Sequence, residues 1–153
     1  MSVCNLSDLP QLLNKDQCLL GLDPGSTIIG IAISDPGFRV ASPLTSITRG
    51  KLAMDAEALL KIIRERNIGG LIVGLPKNMD GREGPSAQSA RAFVRNFLKF
   101  HDLPVAFWDE RLSSAAVERF LLEDDMSRKR RDAVIDKIAA AYILQGALDS
   151  LKR

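Results

Sequence analysis

Gly21-Leu22-Asp23-Pro24-Gly25-Ser26-Thr27-Ile28-Ile29-Gly30-Ile31-Ala32-Ile33-Ser34-Asp35 is the stretch that decides how the chain is read. Apolar residues run from Cys18 to Leu22, a Pro-Gly-Ser turn interrupts them, and a β-branched run resumes at Ile28. That is hairpin chemistry: two strands, 18–23 and 28–34, joined by a tight turn. Val40 to Ile47 supplies a third strand and closes an antiparallel meander. The hairpin also carries an anomaly. Asp23 stands where a buried strand hands over to the turn, and a carboxylate there costs stability unless a partner offsets its desolvation.

Working outward, Leu52, Ala56, Leu59 and Ile63 fall on one face of a helix predicted over 51–67, with Asp55, Lys61 and Glu65 off that face and Gly69-Gly70 as its stop. Leu71 to Leu75 reads as a short buried strand. Residues 76–84 are a loop by composition, and Pro85 suits the first turn of a second helix, whose apolar stripe is Ala90, Phe93, Val94, Phe97 and Leu98. Pro104 to Trp108 is another strand. Helices then follow over about 114–123 and 132–151, separated by a loop at 124–127.

The order β-β-β-α-β-α-β-α-α predicts an α/β fold with one mixed five-stranded sheet. Its three-strand antiparallel meander continues into two parallel strands, with helices on both faces. A chain of 153 residues fits a single domain, 1–153, in which 1–16 is expected to be a loose N-terminal extension.

Composition, 46% hydrophobic and 26% charged, is that of an ordinary globular protein. No apolar run reaches membrane-spanning length, and the N-terminus lacks the pattern of a secretory signal, so the expectation is a cytoplasmic protein with no membrane partner. Cys4 and Cys18 are too few for a zinc ribbon. His101 is the only histidine, which removes most Ser-His and Cys-His schemes. Any metal would therefore be held by oxygen, which favours Mg²⁺ or Mn²⁺.

Two more acids repeat the anomaly of Asp23. Glu110 follows the apolar strand Val105 to Trp108, and Asp136 shares a helical stripe with Ala139, Ala140, Ile143 and Ala147. Asp23 and Glu110 would leave the sheet at the carboxyl ends of parallel strands, where sites gather in open α/β sheets. Asp136 would join them from the last helix, whose alanines allow a close approach. Each acid has an ordinary alternative: Asp23 can cap its own turn, Glu110 can pair with Arg111 or Arg82, and Asp136 can cap a late helix start. Three carboxylates brought together would repel unless a divalent cation compensated them. Such a set fits two-metal phosphodiester hydrolysis. Asp132, one turn before Asp136, is a fourth candidate.

The net charge of +2 hides an uneven distribution. Arg91, Arg95 and Lys99 recur at a spacing of four, and Arg128-Lys129-Arg130-Arg131 is a compact run. Both can be solvated faces, or together an electrostatic footprint for phosphates. Lys77, Asn78 and Arg82 in the 76–84 loop, with Arg111, are further candidates for contact with a nucleic-acid strand near the cut.

Four motifs in order resemble the YqgF family of the RNase H-like superfamily. These are Gly21 to Asp35, then Ile72-Val73-Gly74-Leu75-Pro76-Lys77-Asn78-Met79-Asp80-Gly81, then Asp109-Glu110-Arg111-Leu112-Ser113-Ser114, and last Asp136-Lys137-Ile138-Ala139-Ala140. The resemblance covers about 18–150 and implies an RNase H-like fold and a metal-dependent nuclease, a hydrolase of ester bonds. Its implied task is processing the 5′ end of pre-16S rRNA in ribosome biogenesis, or else resolving four-way DNA (Holliday) junctions, for which a homodimer would be needed. It implies that Asp23, Glu110 and Asp136 are the catalytic and metal-binding acids. Junction resolvases carry an acid on the fourth strand where this chain has Gly74-Leu75, so Glu110 must serve from the fifth. Pro24, Thr27, Ile28 and Val134 replace a bulky residue and three cations of the family pattern.

Two other classes of function share these features. A non-catalytic nucleic-acid binder would keep the fold without turnover. An ATP-dependent phosphotransferase also uses Asp-x-Gly-Ser/Thr turns, but closes two such lobes around its nucleotide.

Overall fold

A computed structural model of the chain describes residues 2–78, 80–112 and 128–152, with the side chains of Leu112 and of 128–133 outside that description. Five strands, β1 (Cys18–Pro24), β2 (Ile28–Ser34), β3 (Ala41–Thr48), β4 (Ile68–Leu75) and β5 (Val105–Asp109), form one sheet in the order β3-β2-β1-β4-β5. β1–β2 and β2–β3 are antiparallel, whereas β1–β4 and β4–β5 are parallel. This is the mixed sheet expected from the meander and crossovers. The helix expected at 114–123 and the loop at 124–127 lie outside the described residues. No helix among the described residues is long and apolar enough to cross a membrane.

Helices α1 (Leu52–Glu65) and α2 (Pro85–Phe97) cover one face, and α3 (Arg128–Leu151) covers the other. Strand alternation sorts the core. Leu20, Leu22, Ile29, Ile31, Leu71 and Val73 pack with Leu59, Ile63, Phe93 and Phe97 on the first face. Leu19, Ala32 and Ile72 pack with Ala139, Ala140, Ile143, Leu144 and Ala147 on the second. Asp55, placed by its spacing off the apolar face of α1, is buried instead, because its carboxylate accepts hydrogen bonds of 3.1 and 3.3 Å from the Gly50 N–H ahead of the helix.

Two expectations change together. The N-terminal residues are not a loose extension. Ser2 and Cys4 exchange backbone hydrogen bonds with Val105, and a 3₁₀ segment, Leu6–Leu12, buries Leu9 completely. Gly69-Gly70 does not end the preceding helix either, but forms part of β4. A Cβ at Gly70 would crowd Leu9, Leu13 and Leu19 at 3.1–3.2 Å. The glycine pair leaves a hollow in the strand, and the N-terminal leucines fill it. Burying Leu9 alone contributes about 1.5–3 kcal/mol.

Candidate active site

One row of the sheet organises the acids. Asp23 on β1 is the cross-strand partner of Gly30 on β2, which pairs in turn with Ser46 on β3. On its other side β1 runs alongside β4 with Leu22 beside Val73, so Asp23 lies next to Gly74, which pairs with Trp108 on β5. Gly21, two residues before Asp23, faces α3: its Cβ would meet Leu144 Cβ at 2.7 Å. By alternation Asp23 projects toward α3 as well. It is flanked on both sides by residues with no side chain.

Each flanking glycine makes room for one of the other two acids. A Cβ at Gly30 would overlap the backbone carbonyl of Asp136, so α3 lies directly on β2 at that point. A Cβ at Gly74 would sit 3.1 Å from Glu110 Oε1 and 3.2 Å from Glu110 Cγ. Glu110 opens the short 3₁₀ turn Glu110–Leu112 after β5, and its side chain returns over Gly74. The chain thus brings an acid to the end of β4 from the neighbouring strand.

Asp23, 6% exposed, and Glu110 share a cleft of about 370 Å³ with Pro24, Gly25, Ser26, Pro76, Pro85, Ser86 and Ser89. Asp136 is outside that lining and one strand away, over Gly30. Among the described residues, no three His, Cys, Asp or Glu side chains are drawn together tightly enough to hold an ion. The side chain of Asp132 is outside the described residues. The donors around the cleft are carboxylates and hydroxyls, a set suited to a hard divalent cation.

Opposite the acids stands the start of α2. Its first intrahelical bond here runs from Gln88 N–H to Gly84 C=O, so the amides of Ser86 and Ala87 precede it. Such amides, with the helix dipole, favour an anion. The Gly25 turn forms a further wall, and Arg49 fixes it: its Nη1 donates to Gly25 C=O at 2.8 Å while the guanidinium lies 5.3 Å over the Phe93 ring of α2.

A match along nearly the whole chain accompanies this geometry. The profile of the RuvX family, described as Holliday junction resolvase, covers residues 17–150. The chain belongs to the RuvX family. A RuvX relative from Paracoccus denitrificans, named "Putative pre-16S rRNA nuclease", is 56% identical over 97% of this chain and 94% of its own length. Another of the same name, from Paramagnetospirillum magneticum, is 52% identical over 98% of this chain and 97% of its own. Among solved structures, RuvC from T. thermophilus in complex with a Holliday junction substrate superposes with a TM-score of 0.54 at 14% identity, over 88% of this chain and 94% of that one. That likeness fixes the RNase H-like fold class.

The basic residues of this RuvX chain divide differently from the acids. Arg91 makes a bidentate pair with Glu83 at 2.6 and 2.8 Å, which holds the Glu83 carboxyl below its usual range. Arg111 binds Asp109 at 2.6 Å and lowers its pKa in the same way, chiefly by side-chain hydrogen bonding. It also reaches Asn78 C=O at 3.5 Å. Arg82 lies 3.7 Å from Asp80. These arginines brace the 76–84 loop, which closes on itself through the Lys77–Glu83 bridge and an Asn78 N–H to Arg82 C=O bond. Arg91, Arg95 and Lys99 line a separate groove rather than the acid cleft. Arg128, Lys129, Arg130 and Arg131 begin α3, and their side chains lie outside the described residues.

Sequence reasoning missed Ser86, Ser89 and Arg49. Ser86 and Ser89 could have been found from the loop-Pro-helix start, because a cleft facing the first turn of α2 must meet residues one turn apart. Arg49 carries no local signal. It reaches Gly25 only because Thr27 C=O accepts a 2.8 Å hydrogen bond from its backbone N–H, which sets the end of β3 beside the turn.

Proposed function

We propose that the chain is a metal-dependent endonuclease of structured RNA that trims the 5′ end of precursor 16S ribosomal RNA in the cytoplasm. The observation that carries this reading is the glycine-framed row, in which Asp23 stands between Gly30 beneath Asp136 and Gly74 beneath Glu110. The names of relatives more than 50% identical over nearly their full length support the substrate.

In this reading Asp23, Glu110 and Asp136 hold Mg²⁺ or Mn²⁺. A divalent cation bound there would supply Lewis-acid activation of water and neutralisation of phosphate charge. The Ser86 and Ala87 amides and the Ser89 hydroxyl orient a phosphate oxygen opposite the carboxylates. The Gly25-Ser26 turn limits how deeply the sugar-phosphate backbone enters. Lys77 and Arg82, on the braced 76–84 loop, contact the strand beside the cut, and the basic start of α3 neutralises flanking phosphates. That last contribution weakens steeply with salt.

The test is cleavage of precursor 16S RNA, with Mg²⁺, Mn²⁺ or EDTA, by the parent and by Asp23→Asn, Glu110→Gln and Asp136→Asn. Each variant should lose at least about a hundredfold in rate, on the scale of removing one electrostatic catalytic group. Undiminished cleavage by Asp23→Asn would refute the site. A second reading, resolution of four-way DNA junctions, rests on the family description and requires two chains acting together. Junction cutting by a homodimer, without trimming of precursor RNA, would favour it.

A further inference from the structure

A groove of about 510 Å³ runs between α2 and the outer edge of β5, away from the acids. Its floor is apolar, formed by Val3, Val94, Leu98 and Phe107, and its rim carries Arg95 and Lys99. We propose that this groove docks a linear segment of a partner protein, added as a strand to the free edge of β5, in which every second residue faces α2 and these are apolar and acidic in turn.

The backbone provides the first argument. β5 is an edge strand, and among the described residues its outer backbone is hydrogen-bonded at its start: Val105 N–H donates to Ser2 C=O at 2.9 Å, and Val105 C=O accepts from Cys4 N–H at 2.8 Å. Alternation makes Phe107, two residues on, project its N–H and C=O the same way. Among the described residues no segment pairs with β5 there. An unpaired edge beside apolar pockets is the arrangement that receives an extended peptide.

Charge provides the second argument. Arg91 and Arg95 stand four apart on α2, and Lys99 follows in the turn just past its end, so three like charges sit at a spacing of four along one side of the groove and repel one another. Glu83 neutralises Arg91. Among the described residues no carboxylate pairs with Arg95 or Lys99. Carboxylates on an arriving strand would relieve that repulsion while its apolar residues cover the floor.

The same details favour a peptide over a nucleic acid. Phe107 is the one aromatic side chain of the groove, and the Arg91 guanidinium lies over its ring at 4.7 Å. That ring face is not open to a stacking base, the usual anchor of a single strand.

The experiment titrates the full chain with a fluorescent nine-residue Glu-Val peptide, Val-Ser-Glu-Ser-Val-Ser-Glu-Ser-Val, whose Val and Glu share one strand face, followed by anisotropy and amide hydrogen exchange. Saturable binding is expected, together with slower exchange of the Phe107 amide on addition of the peptide. The exposed double variant Arg95→Glu/Lys99→Glu should bind at least about tenfold more weakly, and a matching Lys-Val peptide should not bind the parent. Asp23→Asn should bind the Glu-Val peptide like the parent, which separates this inference from the nuclease reading. Equal binding by the double variant, or unchanged exchange at Phe107, would overturn the proposal. So would a single-stranded RNA of the same length that binds the groove in the peptide's place and loses affinity in the double variant.

Discussion

Gly30 lies directly beneath the carbonyl oxygen of Asp136, so the residue that pairs with Asp23 across the hairpin is also the seat of the last helix. Any side chain at residue 30 must push α3, and with it Asp136, away from β1. Gly30→Ala should cost about 1–3 kcal/mol, the usual range for overpacking, and reduce cleavage by more than the stability loss explains. Gly50→Ala is the matched control, because nothing lies within 4 Å of a Cβ there. Urea melts and initial rates on the same preparations check both; a Gly30→Ala variant with parental activity would break the link between seat and site.

Gly74 calls for a milder version of the same test. Its added Cβ would meet Ile143 Cδ1 at 2.7 Å, the far end of a flexible side chain, and Glu110 Oε1 at 3.1 Å. Gly74→Ala should therefore lose about 1 kcal/mol, and Ile143→Val should recover part of that loss in a double-mutant cycle. Activity should stay low in the double variant, because Glu110 is still displaced. Recovery of both together would mean that Ile143 alone mattered.

Arg49 holds the Gly25 turn through one hydrogen bond and one ring contact. Replacing it by alanine should cost about 1–2 kcal/mol, summed from typical values for the two. Because the turn walls the cleft rather than supplying a reacting group, KM should rise more than kcat falls, and lysine should restore part of the difference. A fall in kcat alone would point to a direct role in the chemistry.

The Asp109–Arg111 pair sets a pH dependence with a definite sign. Arg111 lowers the pKa of Asp109, first through side-chain hydrogen bonds and then through its backbone N–H and charge. A carboxylate with a depressed folded pKa contributes its full stability above the unfolded value of ~3.9 and loses it as pH falls through the lower folded value. The Tm difference between the parent and Arg111→Gln should thus be constant from about pH 5 to 7 and shrink below ~4. Thermal melts across that range check it; a difference that grew on acidification would contradict the pairing.

The strands, and the placing of Asp23 and Glu110 at the ends of core strands, were legible because local pattern dictates both. Alternation and the Pro-Gly-Ser turn specify the hairpin, and a carboxylate ending a core strand stands out wherever it occurs. The N-terminus was illegible because Leu6 and Leu9 recur at three, a 3₁₀ period, in a segment with Pro10 inside. Gly69-Gly70 was misread for the same reason: its meaning depends on leucines some sixty residues earlier in the chain. The spacing of Arg91, Arg95 and Lys99 was plain, but their groove was not. Which side of α2 meets the acids and which meets β5 is decided by packing against the sheet.

The contact at Gly30 is made through main chain on the helix side, so no change of rotamer can loosen it. α3 therefore works as a ruler. Inserting one residue between Asp136 and Ala140 would advance one end by ~1.5 Å and turn it through ~100°, leaving a well-formed helix whose acid points elsewhere. The count of residues from its seat over Gly30 to Leu144 over Gly21 is therefore as fixed as the buried side chains between them.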